Sequence, residues 1–358
     1  MPMKRITYVS TSTNPLTQAT LDEIARVSAH NNARSDVTGI LISGGEIFLQ
    51  ILEGEAAEVD RALERIRQDP RHRDLQLIKV ENSAASRLFP EWSMQTVRLD
   101  DINDALISAI RIILANMTES RRILERYTQP AVLDFINRGI NPLKIPYQSG
   151  DKVVLFGDIA AFDALSAFYS TEEVADHARC FLEVLSAAVV LHGGQVNKYM
   201  GDKVMAYFPT SRVDDAIRCC LESLQAMRAL RANAAQCRLR NFLYGGFGLT
   251  LGPVIEGNFG TDLKLDYTIL GHTVNMAARL ESMTRSTGRA LMFGESVKKA
   301  CQEPWPWEEM GQLQLKGEST ACSYFSLKDD IVHDTRSVDD MIEHVLSTTE
   351  EHRRNCLC

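Results

Sequence analysis

The stretch NKYMGDKVMAYF, residues Asn197–Phe208, decides how the second half of this chain folds. Its apolar and β-favouring residues flank the Gly201–Asp202 pair, which is typical of two short antiparallel strands joined by a tight turn. We expect Asp202 at the exposed tip of this hairpin. Upstream, KVVLFGD contains an apolar strand, Val153–Phe156, that runs into Asp158. Because a carboxylate at the end of a buried strand is costly to desolvate, Asp158 needs a partner or a cation.

Asp158 and Asp202 together suit Mg²⁺ (or Mn²⁺). This ion prefers hard oxygen ligands, takes one or two protein carboxylates and completes its shell with water and substrate phosphates. The pair therefore predicts a nucleoside triphosphate site rather than a closed structural cage. Alone, either aspartate is better explained as an ordinary turn residue, so the interpretation depends on the pair and its surroundings.

Four motifs, in this order, resemble the class III nucleotidyl cyclase catalytic domain. They are FGDIAAF, KYMGDKVMAYF, YTILGHTVNMAARLE and LKGE, and they extend over about residues 150–327. The resemblance implies a ferredoxin-like α/β domain that works as a homodimer. It also implies two composite active sites, each containing residues of both subunits.

The resemblance also assigns residues by their position in the motifs. Asp158 and Asp202 would bind the metal ions, with the backbone carbonyl of Ile159 as a further ligand. The remaining implied roles are purine contacts by Lys198 and Thr268, orientation of the ribose by Asn275, stabilisation of the transition state by Arg279 and binding of the triphosphate by Lys316.

The chemistry supports these residue types independently. Closing a 3′,5′-cyclic phosphate requires a deprotonated ribose 3′-hydroxyl aimed at the α-phosphorus, and two metal ions can activate the oxygen and hold the phosphates. Arg279 offers a planar, permanently charged fork to the charge that develops. Asn275 and Arg279 are four residues apart in TVNMAARLE, so on a helix they share one face. Without the resemblance, Arg279 is more simply a solvated helix charge.

Length and composition limit the class of protein. A chain of 358 residues is long enough for two or three domains, and 45% hydrophobic with 24% charged residues is typical of a soluble globular protein. The net charge of -8 argues against nonspecific binding of nucleic acid. The N-terminus lacks a signal segment and no run approaches ~18 apolar residues, so we expect no membrane segment and a cytoplasmic protein.

Residues 1–98 alternate predicted strands and helices, which indicates a small α/β sandwich. RITYVS is a predicted strand, and Thr20 with Glu23 predicts a capping box at the start of a helix. The strands VTGILIS and EIFLQILEG would pair across Gly44–Gly45. A second predicted helix, AAEVDRALERIRQ, ends before Asp69–Pro70.

Several motifs in this first segment resemble a BLUF domain, the flavin-binding blue-light sensor module. They are Tyr8 on the first strand, NNARSDVTGIL, FLQILEG, the Arg71–His72 pair and FPEWSM. The resemblance implies FAD held noncovalently between two helices over the sheet. The implied roles are Tyr8 as electron and proton donor, Gln50 as the amide that rearranges its hydrogen bonds, Asn32 as a flavin ligand and Trp92 or Met94 as the relay.

The residue types at two of these positions fit such a switch. A tyrosine phenol both donates and accepts, and a glutamine can exchange its donor and acceptor ends. The ordinary alternatives are a tyrosine that ends a strand and a glutamine on a solvated strand face. Alternation places Gln50 opposite Leu49 and Ile51, but whether it faces solvent or a pocket stays open.

Residues 99–150 are a predicted helical linker. An apolar stripe recurs at spacings of three and four, formed by Leu106, Ala109, Ile110, Ile113, Leu114 and Met117. The helix could pack on a domain or pair with its copy at a dimer axis, and we favour the pair because a dimeric output domain follows. NPLKIPYQSG is the predicted hinge, and residues 329–358 a C-terminal tail.

Three features of residues 151–328 carry further expectations. Ser170 with Glu173 predicts a capping box at a helix start. The stretch LYGGFGLTLGPVIEGNFG reads as a glycine-punctuated hairpin. Gly157, beside the first metal ligand, predicts a looser strand end.

The predicted fold class is α+β: a ferredoxin-like BLUF α/β sandwich, a helical linker and a ferredoxin-like class III cyclase domain. Together the resemblances imply an adenylate cyclase that forms cyclic AMP from ATP under blue light. A guanylate cyclase is one alternative, and Lys198 argues against it. A photoreceptor whose cyclase-like half only binds a partner is the other, and the aspartate pair with Arg279 argues against that.

Overall fold

The computed structural model describes residues 3–14, 17–99, 105–232, 238–261, 263–313 and 322–328. The chain divides into two compact units, Met1–Lys144 and Ile145–Cys358, and the boundary falls inside NPLKIPYQSG. Each unit combines a sheet with helices, which confirms the predicted α+β class. The predicted tail, residues 329–358, lies outside the described residues.

The first unit is built on a five-stranded sheet with the order β4-β1-β3-β2-β5. Its strands are β1 (Met3–Ser12), β2 (Thr38–Gly44), β3 (Ile47–Glu55), β4 (His72–Glu81) and β5 (Gln95–Arg98), and its helices are α1 (Gln18–Arg34), α2 (Ala56–Arg67), α3 (Ala105–Tyr127) and α4 (Pro130–Asn137). β2 and β3 form the predicted hairpin, and Gly45 in its turn has φ 61°, a conformation that glycine adopts without strain.

Helices α1 and α2 cover the sheet with their apolar residues. Val59 and Leu63 of α2 pack in one cluster with Tyr8 of β1. Leu21 and Ile24 of α1 pack in a second cluster with Leu41 and Phe48 of the sheet. Met94 borders both clusters, so it lies where the two helices meet the sheet.

Helix α3 is attached to the sheet by polar contacts. Arg122 donates to Thr11 Oγ1 at 3.2 Å and to Asp74 Oδ2 at 2.8 Å. The predicted apolar stripe is divided, because Leu114 is buried while Ile113 and Met117 are exposed.

The predicted capping box of Thr20 and Glu23 is wrong. α1 begins earlier, at Gln18, and Thr17 is its N-cap, with its side chain accepting from the backbone N–H of Thr20 at 3.2 Å. Thr17 is as good a capping residue as Thr20, and the earlier start adds most of a turn of helix.

The second unit contains an eight-stranded sheet with the order β12-β13-β11-β9-β6-β8-β7, in which β10 also pairs with β9. Its strands are β6 (Gln148–Ile159), β7 (Gln195–Met200), β8 (Lys203–Pro209), β9 (Gly245–Thr261), β10 (Lys264–Leu270), β11 (Leu291–Gly294), β12 (Trp307–Leu313) and β13 (Cys322–Leu327). Its helices are α5 (Phe162–Phe168), α6 (Thr171–Leu191), α7 (Val213–Ala232), α8 (His272–Thr287) and α9 (Glu295–Ala300).

The central strand β6 separates two apolar layers. Val153 and Leu155 face a cluster that includes residues of α6 and α7. Val154 and Phe156 face a second cluster that includes residues of α8. Because side chains alternate along a strand, the residue two places beyond Phe156, Asp158, faces α8 as well.

The capping box of Ser170 and Glu173 at α6 is confirmed.

The predicted hairpin within LYGGFGLTLGPVIEGNFG is wrong, since most of this stretch is the single strand β9. Three of its glycines lie under α8, namely Gly246, Gly248 and Gly252. A Cβ on Gly248, for example, would come within 2.2 Å of the backbone nitrogen of Glu281. These glycines therefore allow a helix to approach the strand and do not mark turns.

The predicted loosening at Gly157 is also wrong. A Cβ there would come within 2.6 Å of Leu185 and 3.0 Å of Phe247, so larger neighbours fill the space. Gly157 is paired with β8 on one side and β9 on the other.

Among the described residues, the structure contains no helix with the length and apolarity needed to cross a membrane.

Candidate active site and light-sensing site

The β7–β8 hairpin forms as predicted and places Asp202 in its turn. Gly201 has φ 70°, which supplies the left-handed conformation that the turn requires. Lys203, the next residue, is the register partner of Asp158 across β6 and β8. The fold thus brings the two predicted metal-binding aspartates to neighbouring strand ends.

Asp158 is 1% exposed, and its two carboxylate oxygens differ in their hydrogen-bond partners. Oδ2 accepts from Lys203 Nζ at 2.5 Å and from Arg285 Nη2. Oδ1 is buried and has no hydrogen-bond partner. A buried carboxylate oxygen without a partner is costly, so this atom is suited to bind a cation.

A third carboxylate, Glu281 on α8, lies in the same cluster. Its Oε2 accepts from Lys203 Nζ at 3.3 Å, and its Oε1 is buried without a hydrogen-bond partner. Burial raises the pKa of the Glu281 carboxyl, the charge of Asp202 adds to this effect, and Lys203 opposes it. Even so, among the described residues no group of three or more His, Cys, Asp or Glu side chains is arranged to hold a metal ion by itself. An ion that takes one or two carboxylates and substrate phosphates fits this arrangement.

Each of the two predicted purine-binding residues forms a hydrogen bond between β7 and β10. Lys198 Nζ donates to Asp266 Oδ2 at 2.7 Å. Thr268 is buried, and its Oγ1 donates to Asn197 Oδ1 at 2.6 Å. Asn197 was not predicted from sequence.

Asn275 and Arg279 share one face of α8, as their spacing predicted, and both are exposed. The same helix directs Glu281 and Arg285 toward the Asp158 cluster. Helix α8 therefore keeps the two predicted catalytic groups on one face and directs two unpredicted groups toward Asp158 from another. Ile159 is buried and pairs with Gly245 of β9, while Lys316 lies outside the described residues.

In the first unit, Tyr8 and Gln50 are register partners on β1 and β3. Both are buried, and Tyr8 Oη donates to Gln50 Oε1. Gln50 Nε2 in turn contacts Met94 Sδ at 3.4 Å. Gln50 therefore faces the buried side of the sheet, which alternation alone left open. Burial raises the pKa of the Tyr8 phenol, and Asp69 adds to the rise.

Asn32 is buried at the end of α1, where its Nδ2 donates to the carbonyl of Ser93 at 2.8 Å. This bond ties the helix to the segment that carries Met94. Trp92 is 40% exposed and its ring stacks on Phe89 at a centroid distance of 5.3 Å. Of the two predicted relay residues, Met94 is the one in contact with Gln50.

A pocket lies between α1 and α2. Its polar lining residues are Ser28, Asn31, Asn32, Gln50, Arg65, Asp69 and Arg71, and apolar side chains including Val27, Leu52 and Ile66 complete it. Arg71 forms a two-pronged ion pair with Asp69, which lowers the pKa of the Asp69 carboxyl. Nearby, His72 Nδ1 lies 2.8 Å from Ser10 Oγ, and burial lowers the pKa of its imidazole.

Sequence reasoning missed the cations and the third carboxylate around Asp158. Lys203 follows Asp202 directly, and Glu281 and Arg285 follow Arg279 on the same helix. Lys203 and Glu281 lie within the quoted motifs and Arg285 lies four residues beyond them. The contacts of all three depend on the β6–β8 register and on which face of α8 meets the sheet.

Two protein families match the chain. Residues 3–95 match BLUF, described as sensors of blue-light using FAD. Residues 145–328, more than half of the chain, match the adenylate and guanylate cyclase catalytic domain. The chain therefore belongs to the family of proteins with this cyclase catalytic domain and carries a BLUF domain ahead of it.

Individual relatives share both parts. The photoactivated adenylate cyclase subunit beta of Euglena gracilis is 30% identical over 294 residues, which are 82% of this chain and 34% of that protein. The subunit alpha of the same organism is 29% identical over 295 residues. The chain thus spans about a third of the length of these curated relatives. A solved bacterial light-regulated adenylyl cyclase is 35% identical, with a TM-score of 0.89, over 97% of this chain and 99% of that one.

Proposed function

We propose that this protein is a blue-light-activated adenylate cyclase that converts ATP to 3′,5′-cyclic AMP and pyrophosphate. The observation that carries the proposal is Asp158, a buried carboxylate with an unpartnered oxygen at the end of the central strand of a cyclase-family sheet. The bacterial light-regulated adenylyl cyclase that this chain matches over nearly its whole length supports the same activity.

The residues present fit divalent metal ions. Asp158 and Asp202 would hold them, with the backbone carbonyl of Ile159 as a further ligand, and the unpartnered Oδ1 of Asp158 is the atom that most needs such a partner. When bound, Mg²⁺ or Mn²⁺ supplies activation of the 3′-hydroxyl and neutralises phosphate charge.

The other side chains bind and orient the nucleotide. Lys198 and Thr268 would contact the adenine, and Lys316 the triphosphate. Asn275 would orient the ribose, and Arg279 would donate its fixed fork to the phosphate oxygens as their charge grows.

A homodimer would explain the exposed position of Arg279. Within one chain, Arg279 and Asn275 point away from the face of α8 that meets Asp158. In a homodimer with two composite sites, each subunit would supply these two residues to the metal ions of its partner. The exposed Ile113 and Met117 of α3 would pack against their copies in such a homodimer.

The first unit would hold FAD in the pocket between α1 and α2. FAD supplies blue-light absorption and an electron acceptor when bound. Tyr8 and Gln50 form a buried hydrogen-bonded pair, Gln50 and Asn32 line this pocket, and Asn32 would contact the flavin. Rotation of the Gln50 amide would exchange the group that it offers to Met94, which is a local change able to bias a larger equilibrium.

One experiment tests the proposal. Purified protein should show a flavin absorption spectrum that shifts reversibly to longer wavelength in blue light, and it should form cyclic AMP from ATP faster in light than in darkness. A preference for GTP would favour the guanylate cyclase alternative. A photoreceptor spectrum without any cyclic nucleotide would favour a partner-binding role.

A further inference from the structure

Strand β7 contains an irregularity at Asn197. Val196 pairs with Ala206 and Lys198 pairs with Met205, so Asn197 is one extra residue against β8. Such a β-bulge re-aims side chains and is common beside active sites. Asn197 and Lys198, which would point to opposite faces of a regular strand, both reach β10 here.

The contacts of Asn197 fix the orientation of its amide. Its Nδ2 lies 3.3 Å from the backbone carbonyl of Tyr267, and its Oδ1 lies 2.6 Å from Thr268 Oγ1. A carbonyl oxygen only accepts, so the amide NH₂ must face Tyr267. The Oδ1 atom therefore faces Thr268, and the Thr268 hydroxyl must donate to it.

Burial makes this assignment firm for Thr268. The residue is 3% exposed and Asn197 is 6% exposed, so water does not compete for the hydroxyl hydrogen. A threonine hydroxyl has one hydrogen and two lone pairs. With its hydrogen held by Asn197, Thr268 offers any further ligand only lone pairs.

We propose that Asn197 is a specificity-determining positioning residue, which makes Thr268 a pure hydrogen-bond acceptor toward the purine. This inference rests on the proposed function. The adenine amino group can donate to such an acceptor, whereas the guanine carbonyl meets a second acceptor. Lys198, a donor, favours the unprotonated N1 of adenine in the same way. Asn197 thus acts through Thr268 and need not touch the nucleotide.

The test compares kcat/KM for ATP and for GTP in the full-length protein under blue light. Asn197→Leu removes the acceptor at similar volume and frees the Thr268 hydroxyl to donate. The ATP preference should fall by roughly tenfold to a hundredfold, the range of one mismatched buried polar contact. Asn197→Asp keeps an oxygen acceptor and should retain the preference even if both rates fall. Asn197→Ala is the substitute if Asn197→Leu does not fold, with the same expectation.

Two further variants separate positioning from a structural effect. In a Thr268→Val background, which lacks the hydroxyl, adding Asn197→Leu should leave the ATP to GTP ratio unchanged. Gln195→Leu is the matched control, since it removes another amide of the same strand. The Oε1 atom of this amide accepts from Tyr207 Oη at 2.9 Å. An Asn197→Leu protein that loses both activities by the same factor overturns the inference while the proposed function stands. A wild-type protein that cyclises no ATP overturns both.

Discussion

At the scale of single residues, Asp158 is the carboxylate on which the proposed chemistry depends. Asp158→Asn keeps the volume of the side chain but removes the charge that would bind a metal ion. We expect the rate of cyclic AMP formation in light to fall at least about a hundredfold. Replacing a residue that merely supports a metal ligand already lowers metal affinity or activity by about 10- to 100-fold. The rate of cyclic AMP formation in blue light measures this.

The control for this substitution is Asp163→Asn. Asp163 is an exposed carboxylate in the first turn of α5, so its loss should leave the rate within a few-fold. The flavin spectrum should be intact in both variants. Full activity of the Asp158→Asn protein would show that the aspartate pair does not bind the catalytic metal.

Tyr8 makes a prediction about the light response. Tyr8→Phe keeps the buried ring but removes the hydroxyl that donates to Gln50. FAD should remain bound, while the reversible spectral shift and the stimulation by light should disappear together. Difference spectroscopy and a cyclase assay on the same sample measure both. Tyr127→Phe, at an 86% exposed position on α3, should behave like the wild type, and persistent stimulation in Tyr8→Phe would place the primary event elsewhere.

At the scale of elements, the two sides of α3 should respond differently to substitution. Leu114 is buried, so Leu114→Ala should destabilise the first unit by about 2 kcal/mol or more and lower its melting temperature by several degrees. A double variant, Ile113→Ser with Met117→Ser, changes only exposed positions. It should leave the melting temperature of the first unit unchanged. If these residues lie at a dimer axis, the double variant should instead weaken dimerisation and change the ratio of lit to dark activity.

Analytical ultracentrifugation and thermal melting followed by flavin fluorescence separate these effects. Ile112→Ser is the matched control, because Ile112 is exposed on the same helix but lies off the predicted stripe. Unchanged dimerisation in the double variant would mean that this stripe has no role at a dimer axis.

Elements also show how far the sequence reached. The Gly201 turn was predictable, because turn residues act locally. The glycines of β9 were wrongly predicted to mark turns, because the helix that requires them is distant in sequence: α8 packs directly on Gly248. The contacts of Lys203 and Asn197 were missed for a similar cause, since they depend on strand register and on a bulge that no local pattern marks.

At the scale of the whole molecule, a homodimer with composite sites makes a distinctive prediction. A chain with Asp158→Asn and a chain with Arg279→Ala should each be inactive alone. In a heterodimer of the two, one site contains both defects and the other contains neither. An equal mixture that re-equilibrates should therefore recover about a quarter of the wild-type activity, since half of the dimers carry one intact site.

Recovery should require exchange of subunits, so the two variants must be co-expressed or mixed under conditions that dissociate the dimer. The control mixes Asp158→Asn with Asp202→Asn. Both substitutions affect the same side of the site, so no intact site can form. Activity that does not recover in the first mixture would argue that each chain is a complete catalyst.

The ion pairs of Asp158 have a consequence for the order in which ligands arrive. Lys203 and Arg285 already contact one oxygen of this carboxylate, so a free divalent ion competes with two tethered cations. A nucleotide complex brings phosphate oxygens that can receive the displaced lysine and arginine. We therefore expect weak binding of Mn²⁺ alone and tight binding of Mn²⁺ with a non-cyclisable ATP analogue, measured by calorimetry. Lys203→Met should strengthen binding of Mn²⁺ alone, whereas Lys152→Met, which removes a pair with Glu256 at 3.1 Å, should not. The metal ion would then enter the site together with the nucleotide, because the protein's own cations exclude a metal ion that arrives alone.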